Sequence, residues 1–173
     1  MLCAAQCAVA DGVDWIQVRE KHLVAREMAA LVRHVIAIAH AGRTKVLVNS
    51  RIDVAIACGA DGVHFPGDSL SVETIRSIAP PGWLIGVSAH TLEEVQIAER
   101  GRAGYVFFGP VFESISKPGY GSKHGLEALR WVCSQVNIPV LALGGVTKEN
   151  TASCVEAGAA GVAGISLYQG SPI

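Results

Sequence analysis

The stretch Pro139-Val-Leu-Ala-Leu-Gly-Gly145, followed by Gly161-Val-Ala-Gly-Ile-Ser166, limits what this chain can fold into more than any other. Each half is a short apolar run ending in glycine or serine, and a helical pattern over 149–158 joins them. Two apolar strands joined by a crossover helix make a βαβ unit, with parallel strands buried on both faces. Gly144 and Gly145 let backbone N–H groups approach a ligand, because no Cβ stands in the way. Ser166 adds a hydroxyl at the end of the second strand. In a closed parallel barrel, the loops after the last two strands are a common phosphate site. A unit of this kind predicts earlier strand–helix repeats upstream.

Those repeats are readable in order. Residues 1–11 read as a helix stopped by Gly12, and 13–20 alternate apolar and polar residues as a strand does. In that strand Gln17 and Arg19 share a face, and Lys21 follows in the same register. A long amphipathic helix over 24–41 ends at Gly42; 45–49 is a strand, and 52–58 a short helix closed by Gly59. Residues 62–65 form a strand, Pro66-Gly67-Asp68-Ser69 a turn, and 71–79 a helix with Ser71 as its N-cap. A strand over 84–88 precedes Thr91-Leu-Glu-Glu94, a capping box that opens the next helix. A strand over 105–109 and a helix over 126–136 complete the series.

The sum is seven strands and seven helices in strict alternation, which predicts a parallel α/β sheet in one domain over 1–173. Asn49, Ser88, Gly109, Gly144 and Ser166 all end strands. Such endings suit a (β/α)8 TIM barrel with its site on the C-terminal face. A doubly wound open sheet would place its ligand at one crevice and would not need polar endings on nearly every strand. The expected barrel lacks its first strand and last helix in this chain. The unpaired edges beside such a gap predict self-association into a homo-oligomer.

Composition narrows the function. Fourteen basic and fifteen acidic side chains form no stripe or run, so neither nucleic acid nor a membrane surface is an expected partner. Apolar runs stop well short of membrane-spanning length. Five cysteines without paired metal spacing, and no basic leader, point to the cytoplasm.

Four clusters converge on the expected C-terminal face. Gln17, Arg19 and Lys21 offer an amide, a guanidinium and an ammonium, suited to an anionic ligand with a polar ring nearby. The loop after Phe108 sets Ser114, Ser116 and Lys117 among glycines, as an anion-binding lid would. Gly144, Gly145 and Ser166 form the phosphate site, and Asn49 with Ser88 can hydrogen-bond a ligand. His64, in an apolar strand, reads as a core histidine, and His90 as structural beside the helix cap. His22, His34, His40 and His124 read as surface groups. Two anion sites without an evident nucleophile favour a transferase that joins two phosphorylated pieces.

The motifs Ile16-Gln-Val-Arg-Glu-Lys21, Val48-Asn-Ser-Arg-Ile-Asp-Val-Ala55, Gly59-Ala-Asp-Gly-Val-His64, Ile85-Gly-Val-Ser-Ala-His90, Phe108-Gly-Pro-Val-Phe112 with Ser116-Lys117, and Leu143-Gly-Gly-Val146 stand in a telling order. It resembles that of the thiamine-phosphate synthases, a superfamily that includes the thiazole tautomerases of thiamine biosynthesis. The resemblance implies a (β/α)8 barrel that couples hydroxymethylpyrimidine pyrophosphate with thiazole phosphate, giving thiamine phosphate and pyrophosphate. It implies that Gln17, Arg19, Lys21, Asn49 and Lys117 hold the pyrimidine pyrophosphate, with Ser88 close to the reacting ring. Ser114 and Ser116 stand where the family usually has threonine, and Gly144, Gly145, Ile165 and Ser166 would hold the thiazole phosphate. Ser88 and Lys117 are the implied catalytic residues.

The resemblance also implies Mg2+, held in the family by an Asn-Asp pair and an Asp in the loop after the His-containing strand. This chain has Asn49-Ser50 and Gly67-Asp68-Ser69, so serine stands at each metal position and Asp68, one residue away, is the carboxylate left for the metal. Mg2+ favours carboxylates with substrate phosphate oxygens, so the exchange implies weaker metal-assisted departure of pyrophosphate. Two alternatives stay open: a non-catalytic barrel that binds a phosphorylated thiamine precursor, and a thiazole tautomerase. The second is disfavoured because Pro110 stands where tautomerases carry histidine.

Overall fold

The computed structural model describes residues 2–113, 123–164 and 167. Helices and strands alternate: α1 (Leu2–Ala10), β1 (Trp15–Val18), α2 (Ala25–His40), β2 (Lys45–Asn49), α3 (Ile52–Cys58), β3 (Gly62–Phe65) and α4 (Val72–Ile78). They continue with β4 (Leu84–Ala89), α5 (Leu92–Arg100), β5 (Tyr105–Phe108), α6 (Gly125–Gln135), β6 (Val140–Leu143), α7 (Thr151–Glu156) and β7 (Gly161–Ala163). The strands are parallel and follow chain order in one seven-stranded sheet. A doubly wound sheet reverses its order at a switch point, and this order never reverses. None of the described helices is long and apolar enough to cross a membrane.

The chain groups into two compact units. The first comprises Met1–Phe65 with Thr74–Ile85. Its long helix α2 turns Met28, Val32, Val35 and Ala39 inward, a stripe at helical spacing. Val46, Leu47 and Val48 of β2 are buried, as are all four residues of β3, the pattern of strands covered on both faces. Gly59 caps α3 in the left-handed conformation, as the sequence predicts. Asp61 ties the N-terminal ends of the strands. Its carboxylate accepts from the Val46 amide at 2.7 Å and meets His40 Nε2 at 2.9 Å, while its carbonyl accepts from the Leu84 amide at 3.1 Å.

The second unit comprises Pro66–Glu73 with Gly86–Ile173. Tyr105, Val106 and Phe108 of β5 and Ala142 of β6 are buried. A Cβ on Gly86 would run into the Tyr105 ring, so β4 carries glycine where β5 carries its largest buried side chain. Thr91 caps α5 by accepting from the Glu94 amide. The return bond differs from the expected capping box: the Glu94 carboxylate accepts from the His90 amide, one residue before the cap.

Several boundaries contract. β1 stops at Val18, where its ladder with β2 ends at Val48, so Arg19 and Lys21 lie beyond the strand rather than within its alternation. α7 starts at Thr151 rather than 149, because Asn150 bonds the preceding loop: Oδ1 accepts from the Thr147 amide at 2.8 Å and Nδ2 donates to the Gly145 carbonyl at 3.0 Å. His124 is half-buried, not a surface group, with its ring 4.9 Å from that of Phe108.

Candidate functional site

In the first unit the C-terminal ends of β1 and β2 bring their polar residues together. Gln17 Nε2 donates to Asn49 Oδ1 at 3.0 Å, and Asn49 Nδ2 donates to Ser50 Oγ at 2.9 Å. Ser50 takes a left-handed φ of 60°, which its amide holds by donating to the His64 carbonyl at 2.9 Å. The three polar side chains thus form a short chain at strand ends, half-buried at Gln17 and Asn49 and exposed at Ser50.

His64 is 2% exposed in β3, and burial, followed by the Arg19 guanidinium, pushes its imidazole down to about 3. A neutral His64 leaves the positive charge here to Arg19 and Lys21, both exposed. That arrangement suits an anion approaching from solvent. The core reading of His64 from sequence agrees with its burial. Asp53 is bound to Arg51 through two contacts of 2.7 and 2.9 Å, and its carboxyl lies below the usual range chiefly because of that hydrogen bond.

The metal expectation can be tested on these donors. Asn49 Oδ1 already accepts from Gln17, Ser50 Oγ accepts from Asn49, and the nearby Asp53 carboxylate is committed to Arg51. Asp68 belongs to the second unit and is exposed. Among the described residues no group of three or more His, Cys, Asp or Glu side chains could hold a metal ion. An amide and a hydroxyl are a poor set for Mg2+, which favours carboxylates, so the donors of the first unit do not fit the implied ion.

In the second unit, Ser88 is half-buried near the end of β4. A Cβ on Gly67 would come within 2.8 Å of the Ser88 carbonyl oxygen, which lets the turn after β3 lie against it. Residues 109–113 leave β5 as a strap over the end of β6. The Val111 amide donates to Leu143 O at 2.9 Å and the Phe112 amide to Gly144 O at 3.0 Å. The other side is tied too, with the His124 amide donating to Pro110 O at 2.9 Å and the Gly125 amide to Val111 O at 3.0 Å.

The strap revises the reason for the glycine pair. Gly144 and Gly145 have φ of 93° and 62°, so the backbone itself favours glycine there. A Cβ on Gly144 would come within 2.6 Å of Pro110, and one on Gly145 would strike the Glu113 carbonyl and approach Phe112. The pair admits the protein's own strap, beyond any approach of a ligand.

Of the residues singled out from sequence, the structure joins Gln17 and Asn49 and sets Arg19 close enough to influence His64. Lys21 and Asp68 are exposed without a bond among those described, and Ser88, Gly144 and Gly145 lie in the second unit. Ser114, Ser116, Lys117, Ile165 and Ser166 lie outside the described residues. Sequence reasoning missed the Asn150 staple and the contact of His90 Nδ1 with the Gly109 carbonyl at 2.5 Å. The first had a usable signal, an Asn at a helix start; the second accepts on backbone and leaves none.

Comparison with known proteins agrees with this architecture. The chain is 42% identical to the thiamine-phosphate synthase of Roseiflexus castenholzii over 165 residues, 95% of this chain and 72% of that protein. It is 40% identical to the thiamine-phosphate synthase of Methanoregula boonei over 168 residues, 97% of this chain and 78% of that one. Among solved structures, thiamine phosphate pyrophosphorylase from Pyrococcus furiosus superposes with a TM-score of 0.85 at 32% identity, covering 94% of this chain and 78% of that chain. Residues 2–167 match the family model described as thiamine monophosphate synthase, and the chain belongs to that family.

Proposed function

We infer that this chain is a thiamine-phosphate synthase, a transferase of thiamine biosynthesis that couples hydroxymethylpyrimidine pyrophosphate with thiazole phosphate. The observation that carries the reading, in a chain of this family, is the junction of Gln17 with Asn49 at adjoining strand ends, beside the exposed cations Arg19 and Lys21. In this proposal Gln17, Arg19, Lys21, Asn49 and Lys117 hold the pyrimidine pyrophosphate, and Ser88 lies by the reacting ring. Ser114 and Ser116 take part in binding the substrates, and Gly144, Gly145, Ile165 and Ser166 hold the thiazole phosphate.

The chemistry asks little of a nucleophile. The bond from the pyrimidine methylene to pyrophosphate breaks, with its electron pair leaving on oxygen. The thiazole nitrogen lone pair then forms the new carbon–nitrogen bond. The protein contributes alignment of two bound fragments and positive charge around the departing oxygens. Lys117 supplies part of that charge in this reading. His64, neutral and buried, adds no charge toward the anion. No step is routed through Mg2+, since the donors of the first unit do not fit it.

The architecture proposed is a single domain of the (β/α)8 barrel type over 1–173. A cytoplasmic location and a homo-oligomeric state are part of the proposal; the five free cysteines support the first.

The test is formation of thiamine phosphate from both substrates, with Mg2+ present and absent. Product is expected, and its absence at high enzyme concentration would overturn the synthase reading. One observation favours a second reading, a barrel that binds a phosphorylated thiamine precursor without turnover: the Asn49–Ser50 pair supplies no carboxylate. Thermal stabilisation by thiazole phosphate without product would select it.

A further inference from the structure

We propose that His90 is a positioning residue, whose imidazole fixes the strap of residues 109–113 over Gly144 and Gly145 and so sets the affinity of that glycine pair for a phosphate ester. The proposal rests on the reading that this pair holds the thiazole phosphate.

The geometry begins at the ring. His90 Nδ1 lies 2.5 Å from the Gly109 carbonyl oxygen. A carbonyl can only accept, so Nδ1 carries the proton and donates. The rest of His90 is held independently of its ring: the backbone amide donates to the Glu94 carboxylate, and Glu94 is fixed in turn through Thr91 at the cap of α5. The imidazole therefore projects from a rigid helix start onto the first residue after β5. The Gly109 amide adds a longer bond of 3.3 Å to the Ala89 carbonyl, so the ring makes the shorter of two ties to the end of β4.

What Gly109 fixes matters two residues further on. A Cβ on Gly109 would strike the Leu143 carbonyl, so the strap enters directly against β6. Val111 and Phe112 then donate to Leu143 and Gly144, while Pro110 sits where a Gly144 side chain would be. The backbone of the glycine pair is thus held by Asn150 on one side, through the Gly145 carbonyl, and by the strap on the other. Losing the ring bond would loosen the entry of the strap and let both glycines depart from the positive-φ conformation on which the proposed phosphate contact depends.

The test compares His90→Ala and His90→Asn in the full chain, because an Asn side-chain N–H can occupy the place of Nδ1–H and an Ala methyl cannot. Amide hydrogen exchange at Val111 and Phe112 reads the strap, and titration with thiazole phosphate reads the pair. In His90→Ala both amides should exchange about fivefold faster and the Kd rise about fivefold, the size expected for one net hydrogen bond. His90→Asn should restore both. The KM for the pyrimidine substrate should stay unchanged, which a general distortion of the folded site would not allow, and an unchanged melting temperature should exclude a loss of folded protein. Unchanged exchange in His90→Ala, faster exchange with unchanged Kd, or no recovery in His90→Asn would overturn the proposal. If the unaltered chain bound no thiazole phosphate, the phosphate reading of the pair, and with it this positioning role, would be refuted. Exchange at Val111 and Phe112 would still report whether His90 anchors the strap.

Discussion

Gln17 and Asn49 meet at 3.0 Å across 32 residues of sequence, with Gln17 donating to the same Asn49 amide that donates in turn to Ser50. The Asn49 side chain is therefore oriented from both sides, oxygen toward β1 and nitrogen toward the Ser50 hydroxyl. Asn49→Ala leaves the half-buried Gln17 amide without its acceptor, which should lower stability by about 1 kcal/mol. It should also raise the KM for pyrimidine pyrophosphate by about tenfold, the loss expected for a charge-assisted contact. Asn49→Asp keeps an acceptor for Gln17 and should keep the melting temperature, yet it places a negative charge beside an anion and should weaken binding at least as much. Equal KM values in the two variants and the parent would remove Asn49 from the site.

The glycines separate two causes of cost. Gly59 has φ 69° and open space where a Cβ would stand, so Gly59→Ala should lose only about 1 kcal/mol for the left-handed backbone. Gly145 has φ 62° and would also drive its Cβ into the Glu113 carbonyl. Displacing packed backbone adds about 1–3 kcal/mol, so Gly145→Ala should be the more damaging by that margin. Urea unfolding of both variants measures the difference, and similar losses would mean that the strap gives way without resistance.

These contrasts bear on how much the sequence disclosed. The boundaries of β2, α3 and β3 were legible to the residue, because short apolar runs alternate there with a helix that ends on Gly59 in the conformation glycine favours. The alternation overstates β1, since it continues past Val18 although its ladder with β2 does not. The start of α7 lies later than the helical pattern predicts because Asn150 spends its amide on the loop before it. Within the site, Gln17 and Asn49 were legible as polar strand endings, but their contact depends on the register of two strands, which no local pattern carries. The glycine pair was legible as glycine and not as the seat of the strap, because the neighbours that forbid a Cβ come from residues 110–113.

His64 predicts a pH dependence. Its folded-state value of about 3 lies below the ordinary 6.5, mainly through burial and then through Arg19. Between those values the unfolded chain takes up a proton that the folded chain refuses. Its stabilising contribution is therefore intact above about pH 6.5 and is lost as pH falls toward 3. One proton gives a slope of at most about 1.4 kcal/mol per pH unit. His64→Leu removes the titrating group, so its stability should fall less steeply than that of the parent between pH 6 and 4, by about that slope. Parallel curves from denaturant unfolding at each pH would show that His64 is protonated in the folded chain.

Ser50 predicts how metal dependence could be installed. It sits at φ 60°, a conformation that aspartate tolerates better than most side chains, so Ser50→Asp should fold without a large backbone penalty. The variant places a carboxylate beside Asn49 within the first unit, the hard oxygen donor that Mg2+ favours. Mn2+ binding followed by electron paramagnetic resonance, in the presence of pyrophosphate, should be at least tenfold tighter in Ser50→Asp than in the parent. Thiamine phosphate formation should become more dependent on Mg2+ in the same variant. Metal binding as weak as in the parent would mean that the Asn49–Ser50 corner cannot accept a cation even with its carboxylate returned. Tight metal binding without a gain in turnover would place the limit on catalysis elsewhere than in the departure of pyrophosphate.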